Sequence, residues 1–134
     1  MTENESPPLT TSFDNVIVVK SGHILDGIEM NGHIFGGVDT GAAVTRIILE
    51  PNEKITNIRF NTVKKGFYGS PNPYCNFEII TTLTNYGPFG IKTFETTHCE
   101  HGGTYERFVS NHDFFNFLQN KSKVNSEGFI YFTD

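Results

Sequence analysis

At 134 residues the chain has the length of a single domain, with room to bury most of its apolar surface around one core. Its formal charge of -5 and the lack of any Lys/Arg cluster argue against a nucleic-acid backbone or an anionic membrane as partner. With 13 Gly, 6 Pro, 13 Phe and 5 Tyr it favours short strands between turns over long helices, so the expected class is all-β.

No apolar run approaches the roughly 18–20 residues of a membrane-spanning helix, so no membrane insertion is expected. The opening residues are acidic and polar, where a signal peptide is basic and then apolar. The expectation is a soluble chain, cytoplasmic, non-classically secreted or already processed.

Residues 1–12, polar and aperiodic with Pro7 and Pro8, read as a disordered arm, and 13–134 as one domain starting near Phe13. From there to about Gly90, short apolar segments alternate with Gly, Asn or Pro. An offset of 30 pairs Ile17 with Ile47, Val19 with Leu49, Leu25 with Ile55, Ile28 with Ile58 and Met30 with Phe60, which suggests a repeated strand-turn-strand unit.

The first turn is the most informative chemically. Ser21-Gly22-His23-Ile24-Leu25-Asp26 sets one carboxylate between two apolar strands, and Gly36, Gly37 and Gly41 follow with accessible backbone N–H groups and little bulk. Such a combination suits a neutral, hydroxyl-rich ligand such as a sugar. A plainer role for Asp26 is to cap its own backbone in an Asx-type turn.

Further along, Phe67, Tyr68 and Tyr74 fall in a Gly/Pro loop, where stacking on a ligand and core filling are both open. Residues 77–84 read as a strand closed by a turn, with Tyr86 and Phe89 beneath it. A further strand is expected at 91–97, a polar loop at 100–105, a short helix at 111–121 and a last strand at 128–133.

Little else carries chemistry. Cys75 and Cys99 have no spacing that demands a bridge, and two buried free thiols is the simpler reading. His98-Cys99-Glu100-His101 lacks the second pair of a zinc site, so no metal and no cofactor are expected. Glu50 and Glu53 read as a solvated turn rather than a glycosidase pair, and no Ser-His-Asp or Cys-His arrangement is legible. The chain is not expected to be an enzyme.

Taken in order, Lys20-Ser21-Gly22-His23-Ile24-Leu25-Asp26-Gly27-Ile28, Gly36-Gly37 with Gly41, Glu53-Lys54-Ile55-Thr56-Asn57-Ile58, and Thr82 with Tyr86-Gly87-Pro88-Phe89-Gly90 resemble the jacalin-related lectin family, and griffithsin-type members most closely. The resemblance implies a β-prism of three Greek-key four-stranded sheets about a pseudo-threefold axis, binding mannose- or galactose-type sugars without metal. It implies that Asp26 accepts from sugar hydroxyls, that Gly22, His23, Ile24 and Leu25 supply the turn, and that Gly36, Gly37 and Gly41 form the opposing glycine-rich loop.

The chain also departs from the family pattern. Asn125-Ser126-Glu127-Gly128 carries no Asp before the last strand, and in the middle repeat Asn76 stands where the acid is expected, as an altered site. Glycans or glycoproteins are the expected partners, with homo-oligomerisation a means to avidity. The alternative is a protein-interaction or structural module on the same scaffold, with 98–123 as its contact surface. A metal-dependent enzyme built on His98, Cys99 and His101 is the weakest reading.

Overall fold

The computed structural model describes residues 15–37, 43–90, 99–106 and 108–133. The arm expected at 1–12 and the strand expected at 91–97 lie outside the described residues. Strands β1 (Val16–Ser21), β2 (Leu25–Met30), β3 (His33–Gly36) and β4 (Ala43–Ile48) form one antiparallel sheet in the order β3-β2-β1-β4. Strands β5 (Ile55–Val63), β6 (Tyr74–Thr81), β7 (Asn85–Gly90) and β8 (Cys99–Glu106) form a second in the order β7-β6-β5-β8. In each, three hairpin-linked strands are followed by a fourth that returns beside the first, which is a Greek key.

The third side differs. Helix α1 (Asn111–Lys121) is followed by β9 (Ser122–Val124) and β10 (Ile130–Phe132), which pair as a two-stranded ribbon. Two sides of the prism are thus four-stranded, and the third, among the described residues, carries two strands and the helix. The helix forms where expected and is capped by Ser110: its hydroxyl accepts from the Asp113 N–H, while the Asp113 carboxylate accepts from Val109 N–H at 2.8 Å. The polar loop expected at 100–105 is instead part of β8.

The repeat is longer than an offset of 30 implies. Ile17 and Ile47 are antiparallel partners within one sheet, not copies of each other, and the unit that recurs is the whole set β1 to β4. The Ile17–Ile47 match arose because adjacent strands of one sheet both face the core with period 2, whereas Leu25–Ile55, Ile28–Ile58 and Met30–Phe60 set β2 against β5 of the second sheet.

Inward residues from all three sides meet in a single core: Ile17, Val19, Ile28 and Met30 from the first sheet, Ile58, Phe60, Phe77 and Ile79 from the second, and Ile130, Phe132, Phe114 and Leu118 from the third. Phe132 is at its centre, with ring centroids 5.1 Å from Phe117, 5.2 Å from Tyr74 and 6.1 Å from both Phe60 and Phe77. Each such ring, fully buried, contributes about 2–3 kcal/mol of transfer free energy. Tyr74 is a core residue of β6 rather than a loop aromatic, and its hydroxyl accepts from the buried Phe132 N–H at 2.8 Å.

Candidate functional site

Antiparallel pairing sends the loops after β1 and β5, and Gly37 after β3, to one end of the prism. The β9–β10 turn joins them there: Gly37 N–H donates to Gly128 O at 3.0 Å, and Ser126 N–H to Ser70 O at 3.0 Å. A small apolar cluster of Ile24, Val63, Cys75 and Cys99, with Phe129 packed against it, lies beneath these loops.

In the first hairpin, Lys20 pairs with Gly27 and Ser21 with Leu25, so Asp26 is the extra residue of a β-bulge. The bulge breaks the in-out alternation, and Leu25, Asp26 and Gly27 are all buried. Asp26 is 5% exposed. Gly36 and Gly37, with φ of 75° and 32°, close over it: a Cβ on Gly37 would lie 2.5 Å from the Asp26 carbonyl oxygen, and one on Gly36 would lie 2.9 Å from the same atom. Gly36 and Gly37 thus lie against the backbone of Asp26.

The other expected contacts divide. Gly22 and His23 are exposed at the tip, whereas Ile24 and Leu25 are buried and have no side-chain surface to offer a ligand. Gly41 lies outside the described residues.

The second sheet repeats this geometry with different chemistry. Asn61 pairs with Asn76 and Thr62 with Tyr74, so the bulged residue is Cys75. Gly90, φ 106°, closes on it as Gly36 does on Asp26, a Cβ there falling 2.5 Å from the Cys75 carbonyl oxygen. The counterpart of Asp26 is thus Cys75 rather than Asn76, which aligns with Gly27. The prolines of the loop hid this register in the sequence. Cys75 is joined to Cys99 in a disulfide with a Cα–Cα separation of 6.2 Å, which overturns the expectation of free thiols. It also occupies the one cysteine of the His98-Cys99-Glu100-His101 cluster, and no group of three or more metal-ligating side chains occurs among the described residues.

At the β9–β10 turn the acid is replaced by a buried amide. Asn125 Nδ2 donates to Tyr68 O at 3.1 Å and to Pro71 O at 2.9 Å, while its Oδ1 accepts from Glu127 N–H at 2.9 Å and Phe129 N–H at 3.0 Å. All four positions are used, so a buried polar side chain is fully satisfied and the two loops are locked together. Sequence reasoning registered here only the missing Asp. The reciprocal loop partners, more than 50 residues away, left no local signal.

Glu53, read as solvated, is 1% exposed and lies at the opposite end, before β5. Its carboxylate accepts from Thr81 Oγ1 at 2.6 Å, Tyr86 Oη at 2.7 Å and Glu50 N–H at 2.9 Å. Burial pushes its carboxyl upward, but the bonds from Thr81, the Glu50 N–H and Tyr86 outweigh that and hold it below the ordinary value. Tyr86, desolvated and bonded to this anion, is pushed up to about 12. With every oxygen committed to the fold, Glu53 organises the chain entering β5 and is not available as a catalytic acid.

No family model and no curated protein matches this sequence. Solved structures do. The F84T variant of Malaysian banana lectin is similar over 90% of this chain and 73% of its own, with a TM-score of 0.52 and 19% identity. The wild-type banana lectin is similar over 90% and 74%, with a TM-score of 0.50 and 18% identity. The chain has the fold of the banana lectins. AcmJRL, a mannose binding jacalin related lectin from Ananas comosus, is similar over 84% of this chain and 69% of its own, with a TM-score of 0.49 and 21% identity. The likeness to the banana lectins establishes the β-prism class expected from the sequence, and at these identities it is one of fold.

Proposed function

We propose that this chain binds carbohydrate non-covalently, as a lectin, without catalysis, metal or cofactor. The carrying observation is the Asp26 bulge, roofed by Gly36 and Gly37 at the end of the prism where four chain segments converge. In this reading a ligand would meet Asp26 along the narrow edge that its 5% exposure leaves. Sugar hydroxyls would donate to that edge and take their remaining bonds from the backbone of the exposed tip, at Gly22 and His23. Charge-assisted bonds of this kind are strong, but both partners lose water, so each site is weak and self-association would raise avidity.

The sugar class follows from the family resemblance of the Gly22 to Asp26 turn: mannose- or galactose-type, closest to griffithsin-type members. The fold shared with banana lectins supports the scaffold for it.

One observation favours a second reading, a prism that serves as a protein-interaction or structural module. Asp26 is only 5% exposed, as a residue shaping its own loop would be. A glycan array with wild type and Asp26→Ala separates the two. Binding by the wild type that the substitution abolishes supports the lectin. Absence of binding, or binding indifferent to the change, supports the scaffold.

A further inference from the structure

The outward faces of the two four-stranded sheets carry the same acid in the same place and treat it differently. Glu29 in β2 matches Glu78 in β6, each standing three residues past the bulged position of its strand. On the second sheet the cross-strand partner of Glu78 is Arg59, whose Nε donates to Glu78 Oε1 at 2.8 Å. On the first sheet the partner of Glu29 is Val18, and the cation stands one strand further on, since Val18 pairs on its other side with Arg46 of β4. Opposite charges that meet in one sheet are thus two strand spacings apart in the other, about 10 Å between backbones. Neither Glu29 nor Arg46 forms an ion pair among the described residues.

Between these two charges the sheet surface is hollowed. A recess of about 290 Å³ is lined by Val16, Val18, Glu29, Asn31 and Arg46, among others. Ile17 and Val19 belong to the core, so Val18 between them faces outward and, with Val16, forms an apolar floor. The volume is at the low end of ligand pockets, roughly 300–1,000 Å³, which suits a molecule the size of an amino acid or a dipeptide. The recess lies at the far end of β2 from Asp26.

The Glu29 wall holds a second acceptor. Asn31 and Gly32, with φ of 55° and 77°, are the two residues of the β2–β3 hairpin turn, a conformation both tolerate. The turn accounts for the backbone of Asn31 but not for its amide. Asn31 Oδ1 is closed from solvent and has no hydrogen-bond partner among the described residues. Such an orphaned acceptor is costly. Rotation of the side chain into the recess would give this oxygen the donor it lacks.

The geometry points to a binding site for a small zwitterion on the outer face of the first sheet. Glu29 and the Asn31 amide oxygen hold its ammonium, Arg46 holds its carboxylate, and its apolar frame lies over Val16 and Val18. An amino acid with an apolar side chain, free or in a dipeptide, has this chemistry. A simple anion or cation would leave one wall unpaired, and a neutral sugar would answer neither charge. Because the walls are open to solvent, binding is weak and fades with salt. The site does not depend on the carbohydrate reading of the Asp26 end.

The test is a titration of the isotope-labelled full chain at low ionic strength, followed through backbone amide shifts. The probes are leucine and leucyl-leucine, beside N-acetyl-leucine, which lacks the cation, and leucinamide, which lacks the anion. Saturable shifts at residues 16–18, 29–32 and 46 are expected with a zwitterion, and removing either of its charges should weaken binding by about tenfold. The tighter of the two zwitterions tells a free amino acid from a peptide. Glu29→Gln and Arg46→Gln should each cost a similar factor, and in Glu29→Gln the N-acetyl form should bind as well as leucine. Asn31→Gly keeps the left-handed turn, removes the oxygen, and should weaken leucine but not N-acetyl-leucine. Val18→Arg, which copies the second sheet, should pair with Glu29, fill the recess and abolish binding. Failure of both zwitterions to saturate overturns the site. Equal affinity for the singly charged analogues overturns it too, as does binding unchanged in Glu29→Gln and Arg46→Gln. A change in sedimentation of those two variants, without a change in leucine affinity, would assign the recess to contact between copies of the chain and overturn the site.

Discussion

Cys75 occupies in the second sheet the position that Asp26 occupies in the first: each is the extra residue of a bulge, and each has a positive-φ glycine closed down on its carbonyl. The backbone device has been kept while the side chain's chemistry has changed from a carboxylate to half of a covalent cross-link.

The glycines are the first point of test. Gly37→Ala and Gly90→Ala each place a methyl 2.5 Å from a backbone oxygen at positive φ, and each should cost about 2–4 kcal/mol in urea unfolding. Gly22→Ala meets nothing within 4 Å and should change stability by less than about 0.5 kcal/mol. Equal losses for Gly22→Ala and Gly37→Ala would contradict the described roof.

The cross-link is the second. Cys75 and Cys99 are 24 residues apart in sequence and are both buried, so the paired substitutions Cys75→Ala and Cys99→Ala should lower stability by about 3 kcal/mol. The protein should yield no titratable thiol, either native or unfolded in the absence of reductant. Two thiols reacting in denaturant would show that the bridge is absent.

Glu53 and Tyr86 give a prediction in substitution and one in pH. Tyr86→Phe removes one of three donors to a buried carboxylate and should cost about 1–3 kcal/mol. Glu53→Gln turns an amide N–H₂ toward groups that are themselves donors and should cost at least as much, both read from denaturant midpoints.

The pH dependence follows from the direction of each shift. Glu53 lies below its ordinary value of 4.5, so its contribution is complete above that value and is lost as pH falls through the lower, folded one. Tyr86 lies above its ordinary value of 10.0, so its contribution is complete below that and is lost as pH rises from 10.0 through about 12. Tyr86→Phe should flatten the alkaline limb of a stability-pH curve. An unchanged limb would show that Tyr86 does not titrate with folding.

Local chemistry made part of this legible in the sequence. The turn at Gly22, the glycine pair at 36 and 37, and the helix at 111–121 are short-range features whose residues carry their own constraints. What could not be read depends on register. The bulge at Cys75 is set by pairing between β5 and β6 across a ten-residue loop, and the sequence pattern placed the acid's counterpart one residue late, at Asn76. Burial of Glu53 required knowing that Thr81 and Tyr86, 28 and 33 residues on, would fold over it. The alternating apolar pattern found a repeat but fixed its period on two strands of the same sheet, because periodicity reports a face and not a partner.

Phe132 touches aromatic rings from both the second sheet and the helix, yet it lies on β10, after every other strand in the chain. As the polypeptide grows on the ribosome, the two Greek keys can assemble while the hollow they share stays unfilled. Closing that interior awaits the emergence of the final hairpin. Until then the core that Phe114, Leu118, Ile130 and Phe132 complete lacks its third side.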